Sequence, residues 1–126
     1  MIGVDRSLYD VFRDQDTLTL TLEYAGEEGA DDITALFRPF RNDVIFRAFW
    51  EPNDFARTSL ETRGIYDFDT DEIIAEILFE RQLRALHEDL KLRLQFQFFD
   101  PPGTGESFLD FFPNNTSIAA ALRWDF

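Results

Sequence analysis

The sequence predicts an all-β chain of about seven or eight antiparallel strands in up-and-down order. Three observations carry this. Apolar and polar residues alternate with period two through most of the chain, the mark of strands with one apolar face. Short polar links containing Gly, Pro, Asn and Asp separate the alternating runs. Phe is heavily used, with 15 copies beside 2 Trp and 3 Tyr, and aromatic residues favour strands.

Taken in order, residues 1–16 read as a loop or partial strand, and 17–126 as strands and hairpins of a single domain spanning 1–126. Residues 17–24 (TLTLTLEY) set Leu18, Leu20, Leu22 and Tyr24 against Thr17, Thr19, Thr21 and Glu23. The stretch 25–32 (AGEEGADD) is turn chemistry. A second strand is expected over 33–40, with Pro39 near its end because proline cannot donate to a ladder. Residues 44–51 alternate Val44, Phe46, Ala48 and Trp50 against Ile45, Arg47, Phe49 and Glu51. After the Pro52-Asn53-Asp54 turn, 56–68 is expected to be the longest strand, with Arg57, Ser59, Glu61, Arg63 and Asp67 on its polar face. Residues 73–84 are read as a strand although 71–90 are rich in helix formers, with Phe79, Leu83, Leu86 and Leu90 at helical spacing. A helix there would leave the next strand without a hairpin partner. That next strand, 90–99, alternates most cleanly: Leu90, Leu92, Leu94, Phe96 and Phe98 against Lys91, Arg93, Gln95 and Gln97. A loop over 100–115 leads to the terminal strand 117–126. Sequential hairpins of this kind make an up-and-down antiparallel sheet.

Composition excludes several classes. No cysteine is present, so disulfides, zinc fingers and thiol chemistry are out. The formal net charge is −13, which argues against a nucleic-acid partner, since phosphate binding needs a basic surface. No apolar run is long enough for a transmembrane helix. The mean hydropathy of −0.27 does not separate a soluble sheet from a membrane barrel, whose strands also average near neutral.

The polar face is informative. Its acids (Glu23, Glu51, Glu61, Asp67, Glu76, Glu80, Asp125) match its bases (Arg38, Arg47, Arg57, Arg63, Lys91, Arg93, Arg123) in number. A packed core would not hold so many charges, because each unpaired buried ion costs several kcal/mol. Two arrangements remain. The charged face looks into water while the apolar face forms the core of a soluble, lipocalin-like barrel for a small apolar ligand. Alternatively, the charged face lines a wet lumen while the apolar face meets lipid, in a transmembrane up-and-down β-barrel. The second is favoured: opposite charges interleave on neighbouring strands, and Tyr24, Trp50, Phe68, Phe98, Trp124 and Phe126 fall near strand ends, where interfacial aromatic belts sit. The expected lumen wall comprises Arg47, Glu51, Arg57, Glu61, Arg63, Glu76, Glu80, Lys91, Arg93 and Arg123. With the C-terminus at the periplasmic end, the 100–115 loop is extracellular and the turns at 52–54 and 87–89 are periplasmic. By the same count 25–32 is periplasmic, and long for that side.

The runs GVDRSLYDVF (3–12), TLTLTLEYAG (17–26), RNDVIFRAFW (41–50) and ALRWDF (121–126) together resemble the C-terminal part of proteobacterial porin-like outer-membrane β-barrels. The resemblance covers nearly the whole chain. It implies an outer-membrane location, passive transport or a structural role, and no enzyme activity. It implies membrane lipid and the barrel-assembly machinery as partners, with Leu122, Trp124 and Phe126 in the assembly signal. A lone seven-strand sheet would leave two edges unpaired in lipid, so closure is expected to need an eighth strand from residues 1–13, a further chain or a missing N-terminal segment.

Other chemistry is weakly signalled. His87, the only histidine, reads as a solvated turn residue. Asp67, Asp69, Asp71 and Glu72 could attract Ca²⁺, but lack the glycine of an EF-hand loop, so no metal is expected. Gly103-Thr104-Gly105 lacks the lysine and helix of a phosphate-binding loop. Phe108 to Phe112 could fold into a lumen as a constriction. No cofactor is expected.

Overall fold

The computed structural model describes residues 1–26, 42–100 and 115–124. They form one antiparallel sheet with the strands in sequence order: β1 (Ile2–Tyr9), β2 (Thr17–Gly26), β3 (Asn42–Glu51), β4 (Ser59–Asp67), β5 (Glu72–Gln82), β6 (Leu90–Asp100) and β7 (Ser117–Trp124). No partner strand lies beyond β1 or β7 among the described residues, so the sheet is open and not a closed barrel.

Some of the expected elements hold and others are revised. The first sixteen residues contain a full strand, β1, paired with β2 from Ile2↔Tyr24 to Tyr9↔Thr17. The strand expected over 33–40 lies outside the described residues, and β2 pairs directly with β3 from Thr17↔Glu51 to Gly26↔Asn42. β4 begins at Ser59, three residues later than expected, because Asp54 ties up the chain before it. Asp54 accepts the Thr58 N–H (2.8 Å) and hydroxyl (2.7 Å), and its carbonyl accepts the Arg57 N–H (3.0 Å). Arg57 therefore sits in the turn. Phe68 likewise lies just past β4, in the next turn. The helix formers of 71–90 yield β5, and helical spacing survives only as one turn in the link, where Leu83 O accepts from Leu86 (2.8 Å) and His87 (3.1 Å).

The links separate by end. Those at 10–16, 52–58 and 83–89 lie at one end of the sheet with Trp124; 68–71 lies at the other, where Gly26, Asn42, Asp100 and Ser117 also stand. Residues 27–32 of the 25–32 stretch lie outside the described residues; β2 ends and β3 begins at the end opposite Trp124. Positive φ values, at Asp10, Gln15, Asn53, Arg57 and Asp71, all fall in the links.

Register sorts most of the side chains. One face carries Leu18, Leu20, Leu22, Phe46, Trp50, Leu60, Ile77, Phe79, Leu94, Phe96 and Ile118; most charged residues stand on the other, the exceptions being Arg6 opposite Leu20, Arg81 opposite Leu92 and Asp100 opposite Ile73. The shielding is the reverse of a water-soluble fold. Among the described residues no Val, Ile, Leu, Met, Phe, Tyr or Trp is buried, whereas Asp16, Asp43, Asp67, Glu72 and Glu76 are. Strands of 8 to 11 residues therefore present a continuous apolar surface without a core behind it.

Candidate functional site

The polar face is layered along the strands. At the end opposite Trp124, Asp43, Asp67 and Glu72 stand in one cross-strand row. All three are buried, and neither Asp43 oxygen has a hydrogen-bond partner. In the next row Glu23 on β2 is followed by Ile45, Ile65, Ile74 and Phe99.

The middle of the face holds the ion pairs. Arg47 and Arg63 stand opposite each other, a repulsive placement that two carboxylates relieve. Arg47 Nε donates to Glu61 Oε1 at 2.7 Å. Arg63 donates to Glu76, which also accepts from the Gln95 amide. Glu76 is thus the buried hub of this face, with partners on β4 and β6. The Arg47 guanidinium also lies 5.2 Å from the centre of the Phe49 ring.

The end nearest Trp124 is basic. Arg57, Ser59, Glu80, Lys91, Arg93 and Arg123 border one recess of about 460 Å³. Lys91 stands directly opposite Arg123, and Arg93 opposite Glu80.

The residues expected to line a lumen are therefore gathered into three groups. Arg47 pairs with Glu61, Arg63 pairs with Glu76, and Arg57, Glu80, Lys91, Arg93 and Arg123 share the basic recess. Arg57 joins from a turn instead of a strand. Glu51 stands apart, opposite Thr17. Arg38 and Asp125 lie outside the described residues, as do the glycines at 103 and 105 and the 108–112 stretch.

Aromatic residues border both ends of the apolar face, and several anchor a polar tip in a link. Tyr24 donates to Asn42 at 2.7 Å and Tyr66 to Asp71 at 2.6 Å. Trp50 Nε1 donates to Asp16 at 2.8 Å, and the Phe12 ring packs edge-on against its indole at 5.9 Å. At the same end, the Trp124 and His87 rings lie 4.4 Å apart. Of the residues expected in an assembly signal, Leu122 and Trp124 share the apolar face of β7 and are exposed; Phe126 lies outside the described residues.

His87 has a turn role: its Nδ1 accepts the Asp89 N–H at 3.2 Å. The Asp67–Glu72 acids also serve their turn. Asp67 accepts the Asp69 N–H, Asp69 accepts from Asn42, and Asp71 accepts from Tyr66. Among the described residues no group of three acidic, His or Cys side chains is placed to hold a metal ion.

Sequence reasoning missed Asp16. Its Oδ1 accepts the Val11 N–H (2.7 Å), and its Oδ2 accepts those of Phe12 (3.0 Å) and Arg13 (3.2 Å) together with the Trp50 indole. Burial alone pushes its pKa up, but the Trp50 hydrogen bond and those from Phe12, Val11 and Arg13 outweigh it and hold the carboxyl below its usual 3.8. The available signal was faint: an Asp closing an acid-rich link just before a threonine-leucine strand.

No family model, curated protein or solved structure matches this chain.

Proposed function

We propose that this chain is part of an outer-membrane β-barrel, with its apolar face against lipid and its charged face lining a lumen for passive passage of small polar solutes. The reverse shielding carries this reading. A sheet in water forgoes about 1.5–3 kcal/mol for each Leu, Ile or Phe side chain left uncovered. Here a whole face of them stands open while carboxylates are buried. In a bilayer the same face is solvated by hydrocarbon, and the balanced Arg–Glu pairs of the other face sit against water.

Two further features support it. The three links that share an end with the last strand are each seven residues long, and the two longest links join strand ends at the other end, beside the four-residue link 68–71; outer-membrane barrels likewise keep their longest loops on one side. Aromatic residues with anchored polar tips border the apolar face at both ends, as interfacial girdles do. On this reading Trp124 and the 10–16, 52–58 and 83–89 links are periplasmic, and the closing β7 pattern is what the assembly machinery engages.

Open sheet edges are not tolerated in lipid, so the reading requires partners for β1 and β7. These two strands run in the same direction, being the first and seventh of an alternating series. Pairing them with each other would be parallel. An odd number of further strands, from another chain or from sequence N-terminal to β1, closes the barrel with antiparallel pairs throughout. A lipocalin-like soluble barrel would need the apolar face as its interior, and the exposure pattern runs against it.

Refolding by dilution tests the reading. The expected result is β-sheet circular dichroism and heat-modifiable gel mobility in neutral detergent micelles, with aggregation in plain buffer. A folded monomer in buffer without detergent overturns it.

A further inference from the structure

We propose that the open edge of β1 accepts an antiparallel strand of different sequence that carries an aspartate or glutamate on its apolar face, beside Arg6. This rests on the membrane reading above, which requires a strand at that edge, and adds the strand's chemistry.

Arg6 is out of place on its face. It is the fifth of the eight residues of β1 and stands opposite Leu20, with Val4 and Leu8 on the same side of the strand. Its cross-strand row runs through Leu20, Ala48, Thr62 and Ile77 to Ile118, so the row holds one charge, at the edge. The two other charged residues on the apolar face are placed differently. Arg81 is the last residue but one of β5, with the Asp54 carboxylate nearby, and Asp100 is the last residue of β6. Strand ends reach the interface, where charge meets water. Arg6 is mid-strand, and among the described residues no ion pair or hydrogen bond reaches its side chain.

A guanidinium stays charged in any protein setting, and against hydrocarbon it is costly unless paired. Because β1 is an edge, the partner can come from the side. A strand laid antiparallel along it puts one residue directly opposite Arg6 on the same face, and diagonal neighbours within reach of a long side chain. A carboxylate there forms charge-assisted hydrogen bonds with the guanidinium in a medium of low dielectric, where they are strongest. Val4 and Leu8 call for apolar residues two positions either side of the acid. A second copy of this chain does not supply the pattern. Of its two edge strands, β1 repeats Arg6, and β7 carries Ile118, Ala120, Leu122 and Trp124 on its apolar face.

Peptide binding to the full chain in maltoside micelles tests it. The probe is a fluorescent peptide of about nine residues, a membrane-strand length, in which threonine and leucine alternate and glutamate replaces the central leucine. Matched peptides carry glutamine or lysine there. The glutamate peptide should bind saturably and the glutamine peptide about tenfold more weakly, the ratio of one charge-assisted contact. Arg6→Gln should remove that preference and Arg6→Glu should pass it to the lysine peptide, while Arg81→Gln leaves it unchanged. The chain has no cysteine, so disulfide trapping locates the edge. A peptide cysteine just before the centre should couple to Ser7→Cys on β1 and not to Ser117→Cys on β7. Circular dichroism checks each variant. No saturable binding of the glutamate peptide by folded wild-type chain overturns the proposal, as does a preference that survives Arg6→Gln. A chain that dimerises in micelles and excludes every peptide overturns it too, by giving the edge to a second copy. Folding in buffer without detergent would sink the membrane reading, and a glutamate preference there that still depends on Arg6 would keep the β1 seam. Folding only in micelles, with no preference among the peptides, would do the reverse.

Discussion

Asp16 shows how much one carboxylate can organise. Four N–H groups converge on it, three from the backbone of the 10–16 link and one from the Trp50 indole 34 residues away. It joins the turn between β1 and β2 to the end of β3, and Asn53 adds a bond to the Gln15 carbonyl at 3.1 Å. Asp54 does comparable work for the next turn. Burial pushes it up, but the Thr58 N–H and hydroxyl, with Arg81 and Arg13 nearby, hold it below 3.8. The sign follows. Both carboxyls are depressed in the folded state, so their contribution is fully present above the unfolded value of 3.8 and is lost as pH falls through the lower folded value. Asp16→Asn keeps the shape but cannot accept four donors. It should lower the unfolding midpoint at neutral pH, and the gap from wild type should close as the medium is acidified below the carboxylate range. Denaturant unfolding across pH measures both; a gap that is constant with pH would show that charge at Asp16 is not what matters.

Among the strands, β4 depends on a glycine. Gly64 lies on the apolar face opposite Phe46 and beside Ala75. A Cβ at this position would collide with the Phe46 ring and come within 3.2 Å of the Ile74 carbonyl oxygen. The ring of β3 therefore covers the bare backbone of β4. Gly64→Ala should cost about 1–3 kcal/mol through overpacking, and most of that should return when Phe46→Ala is added, a coupling that a double-mutant cycle reads directly. Additive effects would mean the ring does not pack there. The strands themselves were largely legible, because Thr17–Tyr24 and Leu90–Phe98 alternate without interruption and period two leaves few options. Illegible were the features set by partners distant in sequence. β1 carries Asp5 and Arg6 side by side, so its alternation is broken and only pairing with β2 identifies it. The boundary at Ser59 follows from a hydrogen bond within the turn. The recess draws on β4, β5, β6, β7 and the 52–58 turn. Arg57, Glu80, Lys91, Arg93 and Arg123 were named from the sequence and Arg81 was not; their segregation from the acidic row could not be read, because a tally of charges on a face carries no register.

At the scale of the molecule, the question is what touches the apolar face, and one substitution separates the possibilities. Ile77 lies at the middle of β5, between Thr62 on β4 and Phe96 on β6, and is itself exposed. If water meets this face, Ile77→Lys exchanges an exposed apolar side chain for a charged one and should change stability by no more than about 0.5 kcal/mol. If hydrocarbon meets it, a lysine near the bilayer midplane costs about 2–4 kcal/mol. Gln95→Lys is the matched control. It puts the same charge at similar depth on the opposite face, where the Glu76 carboxylate already accepts from residue 95. The membrane arrangement thus predicts opposite outcomes for one chemical change on two sides of one sheet: Ile77→Lys markedly reduces the folded fraction in lipid vesicles, and Gln95→Lys leaves it near wild type. Folded fractions read from heat-modifiable mobility across a urea series give both numbers. Equal tolerance of the two lysines would mean that no hydrocarbon lies against β5, and the open apolar face would then require a protein partner in place of a bilayer.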